Sequence, residues 1–205
     1  MGPTQNREAQ QVNALLQIAR AIDALNLNVN RVVIWLVLLA TLVSAGNAVV
    51  RYAFNTSSNA WLELQWFMFS AIFLLGAAYT LQKNGHVRVD VLYSRYSPRL
   101  QIWVDLLGGL LFLIPTCIVI IVTTVPWVTN SIKIMENSPN PGGLPWWPIK
   151  LLLPVAIFLL LLQAISEVIK RIAMLTGHLP PTQYIPDEEA EILELKEVVE
   201  KKEHP

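Results

Sequence analysis

The chain has 205 residues, 54% of them hydrophobic, and its 15 Lys and Arg balance 15 Asp and Glu exactly in number. A mean hydropathy of +0.46 with so few charges points to a membrane protein and leaves no basic excess for nucleic acid. One cysteine, Cys117, excludes an intrachain disulfide and a cysteine-built metal site.

Residues 1–31 come first, with Val12, Leu15, Leu16, Ala19 and Ile22 at helical spacing opposite Asn13, Gln17, Arg20 and Asp23. This segment is expected to lie in the cytoplasmic interface or to pack onto its own bundle or a partner. Four apolar stretches follow, at about 32–50, 62–81, 102–128 and 149–165. A helix needs about 20 apolar residues to cross a hydrocarbon layer about 30 Å thick. The first stretch is too long and starts too late for a cleaved signal, so it reads as a retained anchor. The third holds Pro115 and Pro126 and is expected to tilt or bend. The fourth is short, but Trp146 and Trp147 extend it into the interface. The predicted fold is therefore an all-α membrane protein of four transmembrane helices. Amphipathic cytoplasmic flanks adjoin a membrane domain over 32–175, with an acidic tail over 176–205. In that tail Pro180, Pro181 and Pro186 interrupt the chain before Ile192, Leu195, Val198 and Val199 resume a helical pattern. It reads as a solvated acidic helix or a docking element.

Charge fixes the expected orientation. Arg7, Arg20, Arg31, Lys83, Arg88, Arg95, Arg99, Lys170 and Arg171 fall on one side; Arg51, Lys133 and Lys150 fall on the other. By the positive-inside rule both termini are cytoplasmic. Tryptophans follow the same frame, with Trp35 and Trp103 at inner ends and Trp61, Trp66, Trp127, Trp146 and Trp147 at outer ends.

An ionisable group at mid-membrane costs about 3 kcal/mol or more, and none is expected there. Glu63 lies near the outer end of the second span, where Arg51 is within reach if spans one and two form an antiparallel hairpin. Asp105 lies at the level of Arg31, Arg88 and Arg99. Glu167 has Lys170 and Arg171 at i+3 and i+4. These carboxylates read as anchors of helix ends, with an ion or proton site at Glu63 as the sharper alternative. Ala40, Ser44 and Ala48 form a small-residue ladder, and Gly108 and Gly109 permit close approach. Asn47, Gln65 and Gln163 are candidates for interhelical hydrogen bonds.

The three histidines, His86, His178 and His204, lie outside the spans, which argues against haem. No phosphate loop, metal-ligand spacing or catalytic triad is apparent, so no cofactor and no enzymatic activity are expected. Nor do two repeated halves with broken helices appear, the usual plan of a secondary transporter.

Two segments are more specific. One is Asn84-Gly85-His86-Val87-Arg88-Val89-Asp90-Val91, followed by Ser97-Pro98, a good N-cap and first position for span three. The other is Pro139-Asn140-Pro141-Gly142-Gly143-Leu144-Pro145-Trp146-Trp147-Pro148-Ile149-Lys150, whose prolines and glycines are expected to forbid regular structure. Together with Arg51-Tyr52, Trp61-Leu62-Glu63 and Gly76-Ala77-Ala78, these residues resemble the small membrane subunit of tripartite ATP-independent periplasmic (TRAP) transporters, the DctQ-like family. The likeness spans about 32–175. It implies a scaffold subunit in the bacterial inner membrane. Its partners would be a large permease, which carries solute with a coupling ion, and a periplasmic solute-binding protein that delivers an organic acid-type solute. It also marks the outer loop with Pro141–Pro148 as a candidate contact for the binding protein or the large subunit, the plain alternative being a proline-rich re-entry into span four, with His86, Arg88 and Asp90 in structural roles. Two rival readings are an autonomous four-helix exporter and an accessory subunit of another membrane complex. Small multidrug exporters carry an essential carboxylate in their first span, and none stands there in this chain.

Overall fold

The computed structural model describes residues 3–56, 58–84 and 96–179. His86, Arg88, Asp90 and the acidic tail beyond residue 179 lie outside them. Helix α1 runs Pro3–Phe54 and α2 Asn59–Gln82. The third span is α3, Pro98–Gly108, a π-helical turn Gly109–Leu113, and α4, Ile114–Lys133. Helix α5 runs Trp147–Leu175. All four spans are long and apolar enough to cross a membrane, and α5 touches every other helix.

The π turn ends at Leu113, two residues before Pro115, whose ring has no N–H and crowds the carbonyl four residues back. Widening that turn absorbs the conflict without ending the span. Gly109 faces α5 here: a Cβ at this position would meet Val168 Cγ2 at 3.6 Å, an ordinary contact. Ser97 occupies the N-cap of α3 with Pro98 in the first turn, though its hydroxyl makes no capping bond.

The N-terminal segment is not a separate helix lying flat. It continues without a break into the first span, and at about 1.5 Å per residue α1 is roughly 78 Å long. Leu16 and Ala19 are buried, and the Ser166 hydroxyl of α5 donates to the Ala19 carbonyl at 3.2 Å. Of the two expected placements, packing onto its own bundle is the one realised.

Both ends of the bundle are closed by specific turns. At the end holding the termini, α5 stops at Gly177, φ +77°. There His178 N–H reaches the Ala173 carbonyl and Gly177 N–H reaches that of Met174, which is a Schellman cap. Helix α4 stops in the same way at the opposite, loop end. Glu136 N–H bonds the Ser131 carbonyl, Met135 N–H bonds that of Ile132, and Met135 takes the left-handed position at φ +47°.

Candidate functional site

Residues 134–146 leave that second cap as an ordered hairpin, contrary to the irregular loop expected from their prolines and glycines. Ser138 N–H bonds the Leu144 carbonyl at 3.0 Å and Trp146 N–H bonds the Glu136 carbonyl at 2.8 Å, around a bridge between Asn137 and Pro145. At the tip Gly143 N–H returns to the Asn140 carbonyl. Pro141 pre-sets the first corner of this turn and Gly142 supplies the second at φ +70°. Proline and glycine here build the turn.

Glu63 fills the mouth of the hairpin. The carboxylate is 4% exposed. Its Oε1 accepts from the Ser138 hydroxyl and from Asn140 Nδ2 at 2.9 Å. Its Oε2 accepts from the Leu144 N–H at 2.7 Å. The expected Arg51–Glu63 pair is not formed: the loop supplies every donor that Glu63 uses, and Arg51 stays exposed. Gly143 is confined by the same contacts, since a Cβ on it would lie 2.5 Å from Ser138 Oγ and 2.7 Å from Glu63 Oε2. Asn59 Nδ2 adds a bond to the Pro141 carbonyl at 3.0 Å, so the start of α2 holds the loop at two levels.

A second pin comes from α5. Lys150 Nζ pairs with Glu136 at 2.5 Å and stands 4.4 Å from the centre of the Trp127 ring and 5.8 Å from that of Trp146, within cation–π range. The Lys150 ammonium holds the Glu136 carboxyl below its ordinary value of 4.5. Trp146 caps the start of α5 and Trp147 opens it.

At the other end of the bundle lies a buried polar network. Gln163, fully buried, accepts from Asn26 Nδ2 at 2.7 Å. Its own amide donates to Asp23 at 2.8 Å and Glu167 at 3.0 Å. Lys170 pairs with both Asp23 and Glu167. Arg171 reaches Asp105 of α3 at 3.1 Å, Glu167 at 3.9 Å and Asn84 beyond α2 at 3.4 Å. The i+3 and i+4 partners of Glu167 are those expected from spacing. Asp105 also pairs with Arg171, because α3 packs on α5; Arg88, one of the arginines expected at its level, lies outside the described residues. Gln65 bonds Ser44 across α1 and α2 at 2.9 Å, as the polar positions in those spans suggested.

Asp23, Asn26, Glu136, Ser138 and Asn140 complete these constellations and were absent from the sequence candidates. Their polarity was visible, but their partners stand far away along the chain.

Among the described residues no cluster of three or more His, Cys, Asp or Glu side chains is placed to hold a metal ion. Residues 40–174 match the family of tripartite ATP-independent periplasmic transporters, DctQ component. The chain belongs to the DctQ family. Comparison with curated proteins gave no match. DctQ chains are transporter components and not an enzyme family, and this one is a multi-pass membrane protein with a TRAP small-permease role. The match covers both pinned ends of the hairpin and most of the buried network, but begins after Asp23 and Asn26.

Proposed function

We propose that this DctQ chain is the fixed scaffold of an ion-coupled importer. It pairs with a large membrane permease that carries solute and coupling ion, and a periplasmic solute-binding protein delivers an organic acid-type solute. The observation that supports a scaffold is the commitment of its carboxylates. Asp23, Glu63, Asp105, Glu136 and Glu167 each engage donors of the same chain. A carboxylate that carried a coupling ion or proton would have to exchange these partners during the cycle. These five hold helices and a loop in register.

The positive-inside count supports cytoplasmic termini, and membership of the DctQ family supports the bacterial inner membrane. The hairpin then faces the periplasm. Its tip residues Pro139, Asn140, Pro141 and Gly142 are exposed, and its base is pinned by Glu63 and Lys150. A rigid exposed tip binds a partner without ordering cost, which suits a contact for the binding protein or the permease.

Affinity purification of the tagged chain from its native membrane in mild detergent tests the reading. A stoichiometric large permease among the co-purifying proteins is the expected result. Recovery as a lone homo-oligomer overturns it.

A further inference from the structure

At the outer ends of α1 and α2 lies a hollow of about 540 Å³ between the two helices. Ser44, Asn47, Arg51 and Asn55 of the α1 side line it, with Gln65 and Leu62 of α2 opposite. Once the hairpin takes Glu63, nothing in the described residues pairs with Arg51, which makes neither an ion pair nor a hydrogen bond among them. Gln65 Nε2 is likewise buried without an acceptor beside the hollow. The lining thus carries a guanidinium and three side-chain amides, and no carboxylate.

The depth of this hollow is also defined. Tyr52 is 93% exposed, and Phe54, Trp61 and Trp66 are exposed at the same end of the two helices. Amphipathic aromatics at this level mark the headgroup boundary. From Arg51 to Asn47 is one helical turn, about 6 Å along the axis. The polar zone of one leaflet is itself about 5–8 Å thick, half the difference between a bilayer of about 40–45 Å and its hydrocarbon core of about 30 Å. The hollow therefore spans the layer in which a phospholipid carries its phosphate and, one step deeper, its glycerol esters. Ala48 and Leu62 add apolar lining between the levels of Arg51 and Asn47.

We propose that this hollow binds the headgroup of a phospholipid from the leaflet on the loop side. Arg51 grips the phosphodiester, and the amide of Asn47 serves an ester carbonyl. A guanidinium matches two phosphate oxygens in its fork, where an ammonium offers only a point charge. The recognised chemistry is a phosphate monoanion, and the same groups would accept free inorganic phosphate; seating beside exposed aromatics favours the lipid. The assignment is independent of the permease partnership, because every residue it uses belongs to this chain.

The test is native mass spectrometry of the full-length protein, delipidated in detergent and titrated with three probes. These are phosphatidylglycerol, a diacylglycerol with the same chains, and inorganic phosphate. Phosphatidylglycerol is expected to bind roughly tenfold tighter than diacylglycerol, the increment of one charge-assisted hydrogen-bonded pair. R51Q removes that preference, R51K keeps only part of it, and R31Q, at the opposite end of α1, leaves it intact. Arg51 is exposed and unbonded within the described chain, so R51Q is expected to fold, which its melting curve checks. Equal binding of the two lipids, retention of the preference in R51Q, or an equal loss in R31Q overturns the proposal. Saturation by millimolar inorganic phosphate with no lipid preference assigns the hollow to a free anion and overturns the lipid as occupant.

Discussion

The carboxylate of Glu63, in the second turn of α2, accepts the backbone N–H of Leu144 at 2.7 Å from a loop 81 residues further along the chain. With Ser138 and Asn140 on its other oxygen, one side chain replaces what would otherwise be three unsatisfied donors of a folded loop. Replacing Glu63 by Gln turns one of those acceptors into a donor aimed at donors. The expected result is faster hydrogen exchange of the Leu144 amide, by roughly tenfold, with reduced recovery of any partner complex. Sodium dependence of transport is expected to stay unchanged. An altered ion dependence with intact assembly would contradict the scaffold role. Exchanging the charges of Arg51 and Glu63 is expected to give no rescue, because the two do not pair.

The backbone of the hairpin makes a ranked prediction. Gly143→Ala forces a methyl against Ser138 and Glu63, and overpacking of that kind costs about 1–3 kcal/mol. Gly142→Ala meets open space but must hold φ +70°, which costs about 1–2 kcal/mol. Met135→Gly runs the other way: the left-handed cap position relaxes, with a gain of up to about 1 kcal/mol. Unfolding in detergent is expected to order these variants G143A, G142A, wild type, M135G from least to most stable.

The spans were legible because apolar runs of membrane length admit few alternatives, and the Glu167 pairs because i+3 and i+4 neighbours share a helix face. Partners across helices were not. Asn26, Asn28 and Asn30 stand just ahead of the apolar stretch that begins at residue 32. In the fold they interrupt the apolar pattern but not the helix, and Asn26 turns inward to Gln163. For Glu63 the sequence offered one partner within the chain, the nearby Arg51. Sequence distance favoured the arginine, whereas the loop's backbone donor could be found only in three dimensions.

Glu136 links stability to acidity. Its folded pKa is lowered by the Lys150 hydrogen bond, so its contribution is fully present above the unfolded value near 4.5. That contribution is lost as pH falls through the folded value. Wild type and E136Q are therefore expected to differ in melting temperature by a constant amount from pH 7 to 5, with wild type higher. The two curves converge below about pH 4.5, the ordinary glutamate value. A difference that grows in acid would reverse the sign and exclude Glu136 as the source.

Arg171 and Asp105 test how the bundle closes at the other end. The two side chains are 5% and 12% exposed, and among the described residues the pair ties α3 to α5 by charge. Removing one partner of a buried pair costs about 3–5 kcal/mol, since it strands the other charge. D105N and R171Q are each expected to lower stability substantially. The double variant is expected to cost less than their sum, with a coupling of about 0.5–3 kcal/mol. Arg171 also serves Glu167 and Asn84, so R171Q is expected to be the worse of the two single changes. Strict additivity in a double-mutant cycle, measured by unfolding in detergent, would mean that Arg171 acts through those other partners and that α3 is held to α5 by packing alone.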